Sequence, residues 1–175
     1  MERRPGSGPQ LSLPLNVSQV LRRPGVRHPL QRQVRLEELR VGDAVVPTAT
    51  EIDVDLVLEA SGSSVVASGD VRAIAHYSCR RCLDPFEQPL VARVREIFEV
   101  RPTEGETYPL HNEHLDLVPL VRDALLLALP LAPLCAEDCS GPAPERFPTG
   151  EPDEPVLDPR WAALDQLKAS QTGDE

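Results

Sequence analysis

The chain has 175 residues, enough for one core of ordinary size, and its 28 acidic against 18 basic residues leave a formal charge of −10. That balance excludes a large basic face for nucleic acid. No apolar run reaches the roughly 18 residues of a membrane span, since the best candidate, 124–134, is interrupted by Pro130 and Pro133.

The charge is uneven. Residues 1–40 hold 8 arginines against 3 acids, a net of +5, and the remainder holds 10 bases against 25 acids, a net of −15. A basic arm therefore precedes an acidic body, which is expected to be cytoplasmic.

Residues 1–14 are polar, contain Pro and Gly and lack periodicity, so they are expected to be disordered. Leu15, Val17, Val20 and Leu21 suit a short helical turn broken at Pro24-Gly25. Val34, Leu36 and Leu39 suggest a short edge element. Ile52, Val54, Leu56 and Leu58 alternate with acids, the pattern of a half-buried strand. After the turn Ser61-Gly62-Ser63-Ser64, residues 65–77 read as a second strand, with Gly69-Asp70 as a bulge or break. A third strand is expected over 86–100, with Leu90, Ala92, Val94 and Glu96 on one face. Residues 101–112 read as a loop.

Asp116 is placed to cap a buried helix over 117–129 that ends at Pro130. Residues 140–157, dense in Pro, Gly and Glu, read as a linker. Asp158-Pro159 then opens a short C-terminal helix with Trp161, Leu164 and Leu167 on one stripe, within residues 158–175. The predicted fold class is α+β: an antiparallel β-meander packed by one buried helix, forming a domain over 15–139.

The chain's 4 cysteines fall in two short pairs, Cys79-Arg80-Arg81-Cys82 and Cys135-Ala136-Glu137-Asp138-Cys139. Two or three residues between ligands let one tight turn present both sulfurs to one ion. The set Cys79, Cys82, Cys135 and Cys139 therefore suits a tetrahedral structural Zn2+. A redox CxxC would normally open a helix after a strand, whereas Tyr77-Ser78 precede this one and Leu83-Asp84-Pro85 follow. Two disulfides, or four thiols without a shared role, are the remaining readings.

His111, Glu113, His114 and Asp116 cluster in sequence but match no zincin spacing. His76 and Tyr77 are expected beside the cysteine site or in the core. Arg22, Arg23 and Arg27, with Arg80 and Arg81 inside the knuckle, are the expected contacts to RNA phosphate or a partner. No G-x-S-x-G, phosphate-cradling Gly loop or HExxH occurs, so nothing warrants an enzyme.

The ordered series Tyr77 to Leu83, Leu115 to Asp123, Leu129-Pro130-Leu131-Ala132-Pro133-Leu134-Cys135, Asp138-Cys139-Ser140-Gly141 and Asp158 to Leu164 resembles the bacterial YceD family. These are the large ribosomal RNA subunit accumulation proteins. The resemblance implies support of large-subunit (23S) ribosomal RNA synthesis, processing or stability. The implied partners are that RNA or a pre-ribosomal particle and a basic ribosomal protein, with no membrane. Family members often continue after the position of Gly141 with a further cysteine pair; Pro142-Ala143-Pro144 stand here instead, so that additional pair is absent. The alternative function is a thiol-redox or metal-responsive regulator that cycles the two pairs.

Overall fold

A computed structural model describes residues 12–143, 145 and 146. The chain divides into two units, Met1–Cys139 and Ser140–Glu175. Of the disorder expected over residues 1–14, residues 1–11 lie outside the described residues, as does the expected helix after Asp158.

The first unit is mostly β. Its strands are β1 (Pro14–Asn16), β2 (His28–Val34), β3 (Leu39–Val41), β4 (Ala44–Val46), β5 (Ile52–Ser61), β6 (Ser64–Ser78), β7 (Pro85–Glu99), β8 (Tyr108–His111) and β9 (His114–Asp116). Its helices are α1 (Ser18–Leu21) and α2 (Leu117–Ala128). They form one nine-stranded curled sheet with α2 packed on it.

Consecutive strands β5, β6 and β7 are antiparallel neighbours, with Ser61 opposite Ser64 and Ser78 opposite Pro85. Alternation decides the faces: Ile52, Val54, Leu56, Leu58 and Ala60 are buried, while Asp53, Asp55 and Glu59 are exposed. On β7 the same rule buries Leu90, Ala92, Val94 and Phe98 and leaves Glu96 half-buried on that face.

Gly69 neither bulges nor breaks β6; its pairing with Leu56 and Val94 is continuous. It is glycine because β5 passes so close that a Cβ would sit 2.1 Å from the Asp55 carbonyl oxygen.

Three elements depart from expectation. β1 takes in Pro14, expected in the disordered arm, and Leu15, expected in a helical turn, and pairs antiparallel with β9. β2 begins at His28, a stretch whose Pro29, Gln31, Arg32 and Gln33 hide the pattern; only Leu30 and Val34 are buried, paired to β5. The supposed loop 101–112 contains β8, which runs parallel to β7 through Phe98 opposite Tyr108 and hairpins into β9. That hairpin turns through Asn112 and Glu113, both at positive φ (48° and 62°), the backbone of a two-residue type I′ turn.

Helix α2 starts where Asp116 accepts a hydrogen bond from the Val118 N–H at 3.0 Å. The same carboxylate accepts the Leu13 N–H at 3.0 Å and the Ser12 hydroxyl at 3.1 Å, which ties the N-terminal segment to the helix start. The helix ends because Pro130 forces Leu129 into an extended conformation. Leu117, Leu120, Val121 and Leu125 are buried, but Leu127 is 87% exposed, so one face of this apolar helix is open rather than covered by the sheet.

Candidate metal centre

The β6–β7 hairpin carries the first cysteine pair on its tip. Leu83 N–H donates to the Cys79 carbonyl at 2.9 Å and Cys79 N–H to the Asp84 carbonyl at 3.0 Å. These bonds wrap residues 79–83 into a single tight turn. Leu83 closes it at φ 65°, a left-handed backbone unusual for a branched side chain that is itself 72% exposed. The second pair arrives after α2. There Cys139 N–H reaches the Ala136 carbonyl at 3.2 Å, and Arg80 N–H bonds the Pro133 carbonyl at 2.9 Å, docking the incoming chain on the hairpin tip.

These two turns bring all four sulfurs within 4.8 Å of one another. The close approaches run between the pairs: Cys79 Sγ to Cys139 Sγ is 3.7 Å and Cys82 Sγ to Cys135 Sγ is 3.8 Å. A disulfide would need about 2.05 Å. Four thiolates at about 2.3 Å around one tetrahedral ion stand about 3.8 Å apart, so the donor set and its spacing fit a metal ion.

Cys79 is buried, Cys82 and Cys139 are half-buried and Cys135 is exposed, so the centre opens to solvent on one side. Backbone N–H groups of Cys135, Cys82 and Arg81 aim at the Cys79 sulfur, the last at 3.4 Å, and outweigh its burial; its pKa falls to about 6. For Cys82 the Asp84 N–H pulls down, but burial and the three neighbouring sulfurs win and push it up to about 12. Cys135 is raised as well, first by hydrogen bonding to Cys79, then to Cys139, then by burial.

Arg81 has a task that spacing alone could not reveal. Its guanidinium Nη1 donates to the carbonyls of Cys139 at 3.0 Å and Glu137 at 3.2 Å, clasping the second knuckle from the first. Arg80 is exposed, and its side chain has no hydrogen bond or ion pair among the described residues. Arg22, Arg23 and Arg27 are exposed on the connection between α1 and β2. His76 is not in the core: it is exposed on β6, 3.4 Å from Glu87. Tyr77 is buried and stacks on Phe86 with ring centroids 5.2 Å apart. His111, Glu113, His114 and Asp116 do not gather as a metal-binding group among the described residues. His114 instead bonds Asn16 at 3.2 Å and the Asn112 carbonyl at 2.8 Å.

Residues 67–168 match the family model described as large ribosomal RNA subunit accumulation protein YceD. The chain belongs to the YceD family. The match takes in both knuckles, β7 and α2. Curated relatives in Mycobacterium bovis and Mycobacterium tuberculosis are each 29% identical over 169 residues, covering 87% of this chain and 80% of theirs. A relative in Mycobacterium leprae is 29% identical over 160 residues, covering 85% and 74%. All of these relatives are named as uncharacterized proteins. No solved structure matches the chain. Among the described residues no helix is long and apolar enough to cross a membrane.

Proposed function

We propose that Cys79, Cys82, Cys135 and Cys139 hold a structural zinc ion in a non-catalytic cytoplasmic factor that supports the synthesis, processing or stability of large-subunit (23S) ribosomal RNA. The observation that carries the metal reading is the pair of cross-knuckle Sγ distances, 3.7 and 3.8 Å, in a set of four sulfurs. The family membership carries the ribosomal reading.

When bound, such an ion supplies a cross-link rather than a reactive centre, because four thiolates leave it no open position. The protein's residues do the rest. Arg81 and the Arg80 N–H align the second knuckle on the first, and the Arg81 N–H donates to the Cys79 sulfur. Cys82 and Cys135 are separated by 53 residues and Cys79 and Cys139 by 60, so the link closes a loop around β7, β8, β9 and α2.

The exposed Arg22, Arg23, Arg27 and Arg80 are the proposed contacts to ribosomal RNA or to a pre-ribosomal particle, and the acidic body suits a basic ribosomal protein. Depletion should lower mature large-subunit RNA, and the protein should sediment with precursor subunits in a sucrose gradient. Normal subunit levels on depletion, with sedimentation only as free protein at low salt, would remove this function.

A thiol-redox role is the competing reading, and the low pKa of Cys79 speaks for it. Against it, that sulfur is buried, and the closest sulfurs belong to different pairs. Elemental analysis of protein purified without chelator separates the two: one zinc per chain supports the first reading, two rapidly formed disulfides without metal the second.

A further inference from the structure

β7 is a long strand with one unguarded edge. Residues 85–98 pair with β6 on one side, but on the other only Phe98 and Glu99 have a partner, in β8. Among the described residues nothing pairs along the rest of that side. Pro85 and Pro89 lack N–H groups and blunt the first part of it. From residue 90 to residue 97 no proline intervenes, which leaves an edge of roughly 26 Å at about 3.3 Å per residue.

This edge forms one wall of a groove whose other wall is the open face of α2. Two adjoining recesses of about 300 and 440 Å³ share Glu96, Tyr108, Asp123 and Leu127 among their linings. Its apolar part is exposed: Leu127, on the α2 wall, is 87% exposed and Val91, on the rim, 54%. The polar part is mostly negative; Arg93, 90% exposed and 3.6 Å from Asp70, is the one cation in these linings. Glu96 is half-buried without a cationic partner among the described residues, Asp123 accepts only the Tyr108 hydroxyl at 3.0 Å, and Glu106 adds a third carboxylate. The Tyr108 hydroxyl registers that field, since its pKa is raised by burial, then by the Asp123 hydrogen bond and the charges of Asp123 and Glu96.

An open strand edge asks for main-chain partners, an exposed Leu for apolar ones and unneutralised carboxylates for cations. We propose that the groove between the β7 edge and α2 receives an extended, Lys/Arg-rich peptide segment of a partner protein, which adds a strand along residues 90–97. Its cations meet Glu96, Asp123 and Glu106, and its apolar side chains cover Leu127. Polyanionic RNA is disfavoured by the same carboxylates. Insofar as the partner is one met during subunit assembly, the inference rests on the function proposed above. The test uses purified components, so its failure would leave a depletion phenotype standing, and the converse.

The probe is a fluorescent peptide of about ten residues alternating lysine and valine, titrated into the full chain, with amide hydrogen exchange read on the same complex. Exchange should slow at those alternate residues of 90–97 whose N–H groups do not bond β6. Glu96→Lys should weaken binding about tenfold and Leu127→Glu about fivefold, both with unchanged thermal unfolding. Glu59→Lys makes the same charge change on an exposed β5 position and should leave affinity within about twofold. Failure of the unaltered chain to protect those alternate residues, an equal loss from Glu59→Lys, or preference for a glutamate–valine peptide or single-stranded RNA would overturn the proposal. So would the same residues already fully protected in the free chain.

Discussion

Arg81 and Cys139 face each other across the two knuckles, with the guanidinium 3.0 Å from the Cys139 carbonyl oxygen. An arginine between two cysteines therefore orients a third cysteine that lies 58 positions away. Removing the clasp should loosen the metal rather than the sheet: Arg81→Ala is expected to weaken zinc binding by about tenfold or more. Arg80→Ala, which removes a side chain with no partner, should leave it unchanged. Competition with a chromophoric chelator measures both.

Metal uptake should be steeply pH-dependent. Below neutrality Cys79 begins to protonate, near pH 6, while Cys82, at about 12, and the raised Cys135 hold their protons throughout the accessible range. Binding near pH 7 must therefore expel at least about two protons, and apparent affinity should rise about a hundredfold per pH unit. Calorimetry in buffers of different ionisation enthalpy counts the protons. Binding that releases none would show that the cysteines are not the ligands.

Chelation should act on the fold, because the ion would hold the chain after α2 to the β6–β7 tip. A strong chelator, or Cys139→Ser, is expected to lower the melting temperature by about 10 °C and to speed amide exchange in residues 133–139 before it does so in β5. Unchanged melting would mean that the hydrogen bonds at Pro133 and Arg81 alone keep the knuckles joined.

Gly69→Ala should be among the most damaging single-methyl changes in the chain. The new Cβ would lie 2.1 Å from the Asp55 carbonyl oxygen, backbone that cannot yield without parting β5 from β6. A loss of about 3 kcal/mol is expected in urea denaturation. The opposite sign is expected at the β8–β9 turn, where Glu113 at φ 62° occupies a position that glycine adopts freely. Glu113→Gly should add about 1 kcal/mol.

Long periodic segments were legible in the residue order. β5, β6, β7 and α2 lie where alternation, helical spacing, Asp116 and Pro130 placed them, because each of those signals acts within one element. Short elements were hidden. β2 buries only Leu30 and Val34 among seven residues, and β8 has Leu110 as its single buried side chain, so neither carries a readable period. Both strands exist because a neighbour supplies their hydrogen bonds. Gly69 was misread for a similar reason: its cause is a carbonyl on another strand.

The same division holds at the cysteines. Spacing alone named the four sulfurs as one candidate set, since a tight turn is a local property of two or three intervening residues. Only the tertiary structure decided that sulfurs 53 and 60 residues apart approach within 3.8 Å, that Arg81 reaches across to the Cys139 and Glu137 carbonyls, and that β7 keeps an open edge beside a largely acidic groove with exposed apolar side chains. Those outcomes depend on which segments come to lie side by side, and that is set by burying the whole core at once rather than by any window of neighbouring residues.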